Sequence, residues 1–330
     1  MGLALDRSAI RDAPRVPDPA PSVYTPTPHR LVTPDGAALP LRRWGPAPER
    51  GEPPERVMLG LHGFNDHAGA FVSTAAALAG AGIAIYAYDQ QGFGAAPRRG
   101  EWPGTGVLVS DARWALGELR RRYPETPIGV IGLSMGAAVA MLALDDYPAL
   151  DLDAAVLVGP AFWGEASMPV YQRLTLWTAE QIAPSLSVSN EWIGIEPSDD
   201  PRVLRALERD PRWIGAPTVK AIAGVSGLMD QALRRASNFN GPRTLIQYGT
   251  ADEVIPPTAV CDLLTALPAD APWRAALYPD GYHMLTRYTG AETVLEDLRQ
   301  FIVAPGKALP SGRAQTPAEA RDTVCGLAGR

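Results

Sequence analysis

Short apolar runs alternate with segments of helical spacing along most of this chain, and this alternation restricts the possible fold more than any other feature. Six runs have the length and composition of buried strands: 57–61, 83–88, 128–133, 154–158, 244–248 and 274–278. Between them, 68–80 and 108–123 have the composition or spacing of helices. Apolar strands separated by helices are typical of a parallel sheet covered on both faces. The sequence therefore predicts an α/β protein with a mostly parallel central sheet.

The alternation also gives a domain organisation. The predicted parts are a Pro- and Ala-rich tether, a first core segment, a cap, a second core segment and a flexible tail: 1–28, 29–159, 160–241, 242–303 and 304–330. The cap has helical patches and several Trp residues but no clear strand, and an insertion between parallel strands lies over their carboxyl ends, where ligands bind. The tail is rich in Pro, Gly and Arg, which favours disorder.

Charge and cysteine content exclude several classes of function. The net charge is −6, so nucleic acid is not an expected partner. The two cysteines, Cys261 and Cys325, are too few for a disulfide framework or a zinc site, and both are predicted to be free thiols. No run is long enough to span a membrane, and the first residues lack the apolar segment of a signal peptide. A cytoplasmic protein is expected, or an exported or membrane-associated one if an N-terminal segment has been removed.

A G-x-S-x-G pattern at 132–136 is the first candidate for chemistry. It begins where a predicted strand ends and a helix starts, as a nucleophile elbow requires. The glycines leave room for a sharp turn, on which strain pushes the hydroxyl of Ser134 outward. A packed turn would need no serine at this position, so Ser134 is the candidate nucleophile.

A serine nucleophile needs a base within hydrogen-bonding distance and an acid that orients the base. Chains with this elbow place the serine first, then the acid, then the histidine. Of four histidines only His283, in YPDGYHML, follows Ser134. The loop QYGTADEVIP lies between them and offers Asp252 or Glu253 as the acid.

Two backbone N–H groups are the expected donors to the tetrahedral oxyanion of acyl transfer. One belongs to Met135, directly after the nucleophile. The other belongs to Phe64, in the HGF sequence that follows the run 57–61. His62 of the same sequence is predicted to brace this loop rather than to catalyse.

These motifs together resemble the α/β-hydrolases of the monoacylglycerol lipase and lysophospholipase group, also called S33-like serine aminopeptidase hydrolases. The matching segments are HGFNDHAGAF, AYDQQGFGAAPRRG, GLSMGAA, SDDPRVLRALERDP, QYGTADEVIP and YPDGYHML. The resemblance implies an α/β-hydrolase fold, a triad of Ser134, Asp252 and His283, and no metal or cofactor. The chain departs from the family at Gln91, where relatives commonly have arginine.

The aromatic-rich cap and the resemblance predict a serine hydrolase for lipid-like monoesters, of monoacylglycerol or lysophospholipid type. The expected partner is a small lipid or ester, with transient contact between the cap and a membrane surface. An aminopeptidase or thioesterase on the same fold stays open, since Glu165, Glu180 and Asp199 of the cap could hold an amine. A ligand-binding homologue without activity is a further alternative, and the oligomeric state is not indicated.

Overall fold

The structure is a computed structural model that describes residues 29–46, 51–145, 150–164, 168–189 and 196–329. The predicted tether, 1–28, lies outside the described residues, and so does Glu165 of the cap.

The described residues form strands and helices in alternation. The strands are β1 His29–Val32, β2 Ala38–Trp44, β3 Arg56–Leu61, β4 Ile83–Tyr88, β5 Ile128–Leu133, β6 Ala154–Val158, β7 Arg243–Gly249, β8 Trp273–Tyr278 and β9 Ala314–Gln315. The helices are α1 Val72–Leu78, α2 Thr105–Arg122, α3 Met135–Leu144, α4 Val170–Ile182, α5 Pro201–Arg209, α6 Val219–Ala236, α7 Pro257–Ala266, α8 Ala291–Val303 and α9 Pro317–Ala328.

All of these strands pair in one sheet, in the order β1-β2-β4-β3-β5-β6-β7-β8-β9. The pairs from β4 through β3, β5, β6 and β7 to β8 are parallel. The two edges are antiparallel, with β1 and β2 on one side and β9 on the other. β1 and β2 form a hairpin around Asp35-Gly36, and the mostly parallel sheet expected from the sequence is confirmed.

Helices cover both faces of this sheet because its central strands are apolar on both sides. Along β3, Val57, Leu59 and Leu61 contribute to one apolar cluster, which α2, α3, α6, α7 and α9 cover. Met58 of the same strand contributes to a second cluster, which α1 and α8 cover. Successive side chains of a strand point to opposite faces, so a continuous apolar run fills both layers.

The described part of the cap region between β6 and β7 contains three helices that differ in how they pack. Helix α6 packs against α3, α2 and α7, so it belongs to the helical layer over the sheet. Neither α4 nor α5 has a fully buried residue. Only an isolated bridge between Ser187 and Thr218 is extended structure in the described part of this region.

The prediction of a flexible tail is wrong. Residues 304–329, the C-terminal clasp, include β9, which extends the sheet along β8, and α9, which packs against α7 and β8. Helix α9 begins with a capping box, in which the side chains of Thr316 and Glu319 satisfy each other's backbone N–H groups. Ala320 and Val324 of α9 are fully buried. The clasp is ordered because local capping and apolar burial outweigh its glycine and proline content.

The prediction of two free thiols is also wrong, because Cys261 of α7 and Cys325 of α9 form a disulfide. Their Cα atoms are 5.0 Å apart although 64 positions separate them in the chain. Disulfides persist in oxidising environments and are rare in the cytosol. The bond therefore weighs against the cytoplasmic location expected from the sequence. Among the described residues, no helix combines the length and apolar character needed to cross a membrane.

Candidate active site

Ser134 lies at the tip of the turn between β5 and α3. Its backbone is in the left-handed region, with φ +52°, and its N–H donates to the carbonyl of Val158 at 2.9 Å. A side chain at Gly132 would collide with the backbone of Ala137, and one at Gly136 would collide with the end of β3. The turn can therefore close only with glycine at both positions. The left-handed conformation of a serine costs on the order of 1–3 kcal/mol, which the surrounding structure compensates.

His283 lies between the candidate nucleophile and the candidate acid. Its Nε2 is 2.9 Å from the Oγ of Ser134, and its Nδ1 is 2.8 Å from the Oδ2 of Asp252. The other oxygen of Asp252 accepts the N–H groups of Val254 and Ile255 at 2.9 and 2.8 Å. An ionised carboxylate only accepts, so Nδ1 donates to it and Nε2 is free to accept the serine hydroxyl. This arrangement can take a proton from the hydroxyl while the imidazole stays oriented.

The three side chains are brought together by the sheet. Ser134, Asp252 and His283 follow β5, β7 and β8, and parallel strands present their carboxyl ends at one edge. The side chain of Asp252 is fully buried, and that of His283 is 9% exposed. Glu253, the adjacent alternative, is exposed to solvent. The structure thus brings Asp252, and not Glu253, against the imidazole.

The two predicted oxyanion donors line the cavity beside the serine. Met135 is the first residue of α3, so its N–H has no partner within the helix. Phe64 lies in the loop after β3, and its ring packs edge-on against Phe93 with 5.7 Å between the centroids. A Cβ at Gly63 would lie 3.3 Å from the Cβ of Ser134. The backbone around Phe64 is therefore in close contact with the candidate nucleophile.

His62 is fully buried and holds this loop to the loop after β4. The N–H of Gln90 donates to Nε2 of His62 at 3.0 Å, so the proton lies on Nδ1, which donates to the carbonyl of Gly63 at 2.8 Å. Burial lowers the pKa of His62, which favours this neutral form. The contacts are those of a brace, as the sequence predicted.

A buried ion pair that the sequence did not indicate also lines the cavity. The guanidinium of Arg287 contacts the carboxylate of Asp66. Burial alone would raise the pKa of Asp66, but the positive charge of Arg287 holds it below the usual value. Asp66 lies close in sequence to HGF, and Arg287 lies close to His283. This proximity was the only feature of the sequence that could have indicated the ion pair.

The cavity has a volume of about 380 Å³, within the roughly 300–1,000 Å³ typical of ligand pockets. Ser134 and His283 line it together with a mainly apolar wall. The cap contributes the apolar residues Trp163, Met168, Trp213, Ile222, Val225 and Met229. The site is therefore a hydroxyl–imidazole–carboxylate chain at one end of a largely apolar cavity.

The departure from the family at Gln91 leaves a buried carboxyl group with an amide partner. Nε2 of Gln91 donates to Asp111 at 3.0 Å, and among the described residues no ion pair forms at Asp111. Burial raises the pKa of Asp111 to about 6, with the amide of Gln91 opposing the shift and the nearby charge of Asp35 adding to it.

The chain is similar in sequence to proteins of one family. The family model described as "Serine aminopeptidase, S33" matches residues 52–288. The monoacylglycerol lipase of Mycolicibacterium smegmatis is 28% identical over 256 residues, which cover 76% of this chain and 89% of that protein. Human monoglyceride lipase is 28% identical over 176 residues, which cover 53% of this chain and 55% of that protein.

Solved structures share the architecture. The crystal structure of Paleococcus ferrophilus monoacylglycerol lipase aligns with a TM-score of 0.64 and 23% identity, over 81% of this chain and 98% of that one. A soluble variant of monoglyceride lipase from Saccharomyces cerevisiae aligns with a TM-score of 0.69 and 19% identity, over 86% of this chain and 97% of that one.

The sheet, its two helical layers and a serine on a strand-to-helix turn define an α/β-hydrolase, and with the relatives they make the chain a serine ester hydrolase. The family model spans well over half of the sequence. The chain therefore belongs to the serine aminopeptidase S33 family, and the resemblance found in the sequence is confirmed.

Proposed function

We propose that this protein hydrolyses lipid-like monoesters, of monoacylglycerol or lysophospholipid type, through an acyl-enzyme formed on Ser134. The observation that carries the proposal is the position of His283, within hydrogen-bonding distance of both Ser134 and Asp252 at the end of an apolar cavity. The relatives named monoacylglycerol and monoglyceride lipases support the substrate class.

The mechanism follows from the atoms that are in contact. Oγ of Ser134 attacks the ester carbonyl while its proton passes to Nε2 of His283. Asp252 accepts Nδ1–H throughout and stabilises the imidazolium. The N–H groups of Phe64 and Met135 stabilise the oxyanion. The tetrahedral intermediate expels the alcohol, which takes the proton from Nε2, and a water molecule activated by the same nitrogen then releases the acid.

The wall of the cavity favours an apolar acyl chain. Side chains of the cap and of the loops after β7 and β8 supply most of its surface. Burying methylene groups there yields about 0.8 kcal/mol for each CH₂. A medium acyl chain is thus bound more tightly than acetate.

A panel of substrates tests this proposal. Nitrophenyl esters of increasing chain length, monoacylglycerols, a lysophospholipid, acyl thioesters and amino-acid amides are compared by kcat/KM, with fluorophosphonate labelling as an independent assay. We expect labelling at Ser134 and a preference for medium chains over acetate. A preference for acetate would contradict the acyl pocket, and absence of labelling would favour a ligand-binding homologue.

The aminopeptidase alternative receives no support from the cap carboxylates. The carboxylate of Asp199 accepts hydrogen bonds from Thr289. Glu180, in α4, does not line the cavity, and Glu165 lies outside the described residues. Among the described lining residues the one carboxylate is that of Asp66, which is neutralised by Arg287. A substrate amine would therefore find no free counter-charge in the described part of the cavity.

A transient contact with a membrane surface forms part of the proposal. Helix α4 exposes large apolar side chains, each 60–77% accessible: Val170, Tyr171, Leu174, Trp177 and Ile182. Exposed apolar patches of this kind mark interaction sites. We expect flotation with vesicles of phosphatidylcholine and phosphatidylglycerol to capture the protein, and the double substitution Leu174→Ser and Trp177→Ser to reduce capture. Val303→Ser, at an exposed apolar residue of α8, is the control.

A further inference from the structure

The segment 197–214 of the cap carries the motif SDDPRVLRALERDP, to which the mechanism assigns no role. Its centre is α5, and its two ends reach two different loops of the active site. One is the oxyanion loop, residues 62–67, which contains Phe64. The other is the histidine loop, residues 279–289, which contains His283.

The first end of the segment is bound to the histidine loop. The carbonyl of Pro197 accepts the N–H of Met284 at 2.8 Å, directly after the imidazole. The hydroxyl of Ser198, a fully buried residue, donates to the carbonyl of Arg287 at 2.7 Å. The carboxylate of Asp199 accepts the N–H of Thr289 at 2.9 Å and also its hydroxyl.

The second end is bound to the oxyanion loop. The N–H of Gly69 donates to Nδ1 of His67 at 3.0 Å, so the proton lies on Nε2, which donates to the carboxylate of Asp210 at 3.0 Å. The N–H of Ile214 donates to the carbonyl of Asn65 at 3.0 Å, directly after Phe64.

Helix α5 spans the distance between these two attachments. Asp200 caps it by accepting the N–H of Arg202 at 2.8 Å, and Pro201 is its first residue. The helix has no fully buried residue, so its position is set by its two ends more than by core packing. The ion pair between Asp66 and Arg287 joins the same two loops directly and completes a closed frame.

We propose that segment 197–214 is a fixed strut, which sets the distance between the oxyanion donors and His283, and that Asp199 and Asp210 are positioning residues for ester hydrolysis. The role rests on the proposed function, since it concerns the geometry of that reaction. The strut acts through the loops and does not touch the substrate through either carboxylate.

Alanine and asparagine substitutions at the two positions test the strut. Misplacing a reacting group by about 1 Å can cost about 100-fold in rate, so we expect Asp210→Ala and Asp199→Ala to lower kcat about 10- to 100-fold, with KM changed less than about threefold. Asparagine at position 199 keeps an oxygen for the N–H of Thr289 and gains an amide that can donate to its hydroxyl, so Asp199→Asn should recover kcat to within about threefold of the wild type. Both oxygens of Asp210 accept N–H groups, from Arg212 as well as from His67, so Asp210→Asn places an amide N–H against a donor and should recover less. Glu208→Ala, an exposed acid of α5, is the matched control and should leave kcat unchanged.

Hydrogen exchange of the full chain provides a measurement that needs no substrate. Outside segment 197–214 itself, where the N–H of Arg212 loses its bond to Asp210, Asp210→Ala should raise exchange only in residues 62–71 and Asp199→Ala only in 279–290. A kcat within twofold of the wild type for both alanine variants would overturn the strut. So would exchange that rises throughout the protein, which would mean general destabilisation. A wild-type protein that turns over no ester would refute the proposed function. The exchange pattern would still show whether segment 197–214 holds the two loops in place.

Discussion

The catalytic site, at the carboxyl ends of β5, β7 and β8, and the C-terminal clasp are two parts of the same sheet that are held in different ways. In the catalytic site, Ser134 has a strained backbone, and His283 and Asp252 are held beside it mainly by hydrogen bonds. In the clasp, α9 is held by a capping box, buried apolar residues and the bond between Cys261 and Cys325. From this difference we expect rate and stability to depend on separate parts of the chain. Substitutions in the catalytic site should lower kcat with little effect on the free energy of unfolding. Substitutions in the clasp should lower the free energy of unfolding with little effect on kcat.

The largest effect is expected at the nucleophile. Ser134→Ala removes the attacking oxygen, and kcat on a nitrophenyl ester should fall roughly 10⁶-fold. The free energy of unfolding, measured with urea, should change by less than about 1 kcal/mol, because one partly exposed hydroxyl is lost. Residual turnover above a hundredth of the wild-type rate, in protein free of wild-type enzyme, would show that another group is the nucleophile.

The acid of the triad gives the second effect. Asp252→Asn keeps an oxygen for the N–H groups of Val254 and Ile255 but no longer stabilises the imidazolium, so kcat should fall about 10⁴-fold. Glu253→Gln is the matched control, and its kcat should stay within twofold of the wild type. Equal losses in the two variants would remove Asp252 from its assigned role.

A substitution in the clasp should lower the free energy of unfolding and leave kcat nearly unchanged. Cys325→Ser breaks a bond that closes a loop of 64 positions, and the free energy of unfolding should fall by about 2–5 kcal/mol. At 25 °C kcat should remain within about twofold of the wild type, because neither cysteine lines the cavity.

Two further measurements control that result. The double variant Cys261→Ser and Cys325→Ser should have the same free energy of unfolding as either single variant to within about 0.5 kcal/mol, because the same disulfide is lost in every case. Thiol titration of the unfolded wild type without reductant should detect no free thiol. Two thiols per chain would contradict the disulfide.

The sequence predicted the core of this fold well because its signals are local. A six-residue apolar run such as 128–133 is buried on both faces whatever its neighbours, and the glycines around Ser134 restrict one turn. The position of His283 after the last parallel strand then follows from the edge that all such strands share. Each of these predictions needed only short segments and their order along the chain.

The clasp and the strut could not be predicted in the same way, because they depend on contacts between distant segments. The disulfide requires α7 and α9 to lie side by side, which no local pattern indicates. The start of α9 did carry a signal, since Thr316-Pro317 with Glu319 is a capping sequence, but the Pro, Gly and Arg content around it outweighed that signal. Likewise, the contact between His67 and Asp210 spans 143 positions.

The smallest effect concerns a buried carboxyl group outside both regions. The pKa of Asp111 is about 6 in the fold, against an ordinary value of 3.8. The folded state therefore binds the proton more tightly than the unfolded state, and stability falls as the pH rises through the window between these values. Asp111→Asn keeps an acceptor for Gln91 without a charge. The variant should be more stable than the wild type by about 1–3 kcal/mol at pH 8 and nearly equal to it at pH 4.

Urea unfolding of the wild type and Asp111→Asn at the two pH values measures this difference. Gln91→Arg provides a second route to the same result, because a guanidinium beside Asp111 would favour the charged carboxylate and should also stabilise the protein most at high pH. Neither substitution touches the triad or the clasp, so kcat should be unchanged in both. A stability difference that is independent of pH would mean that the pKa of Asp111 is the same in the folded and unfolded states, which would contradict the upward shift.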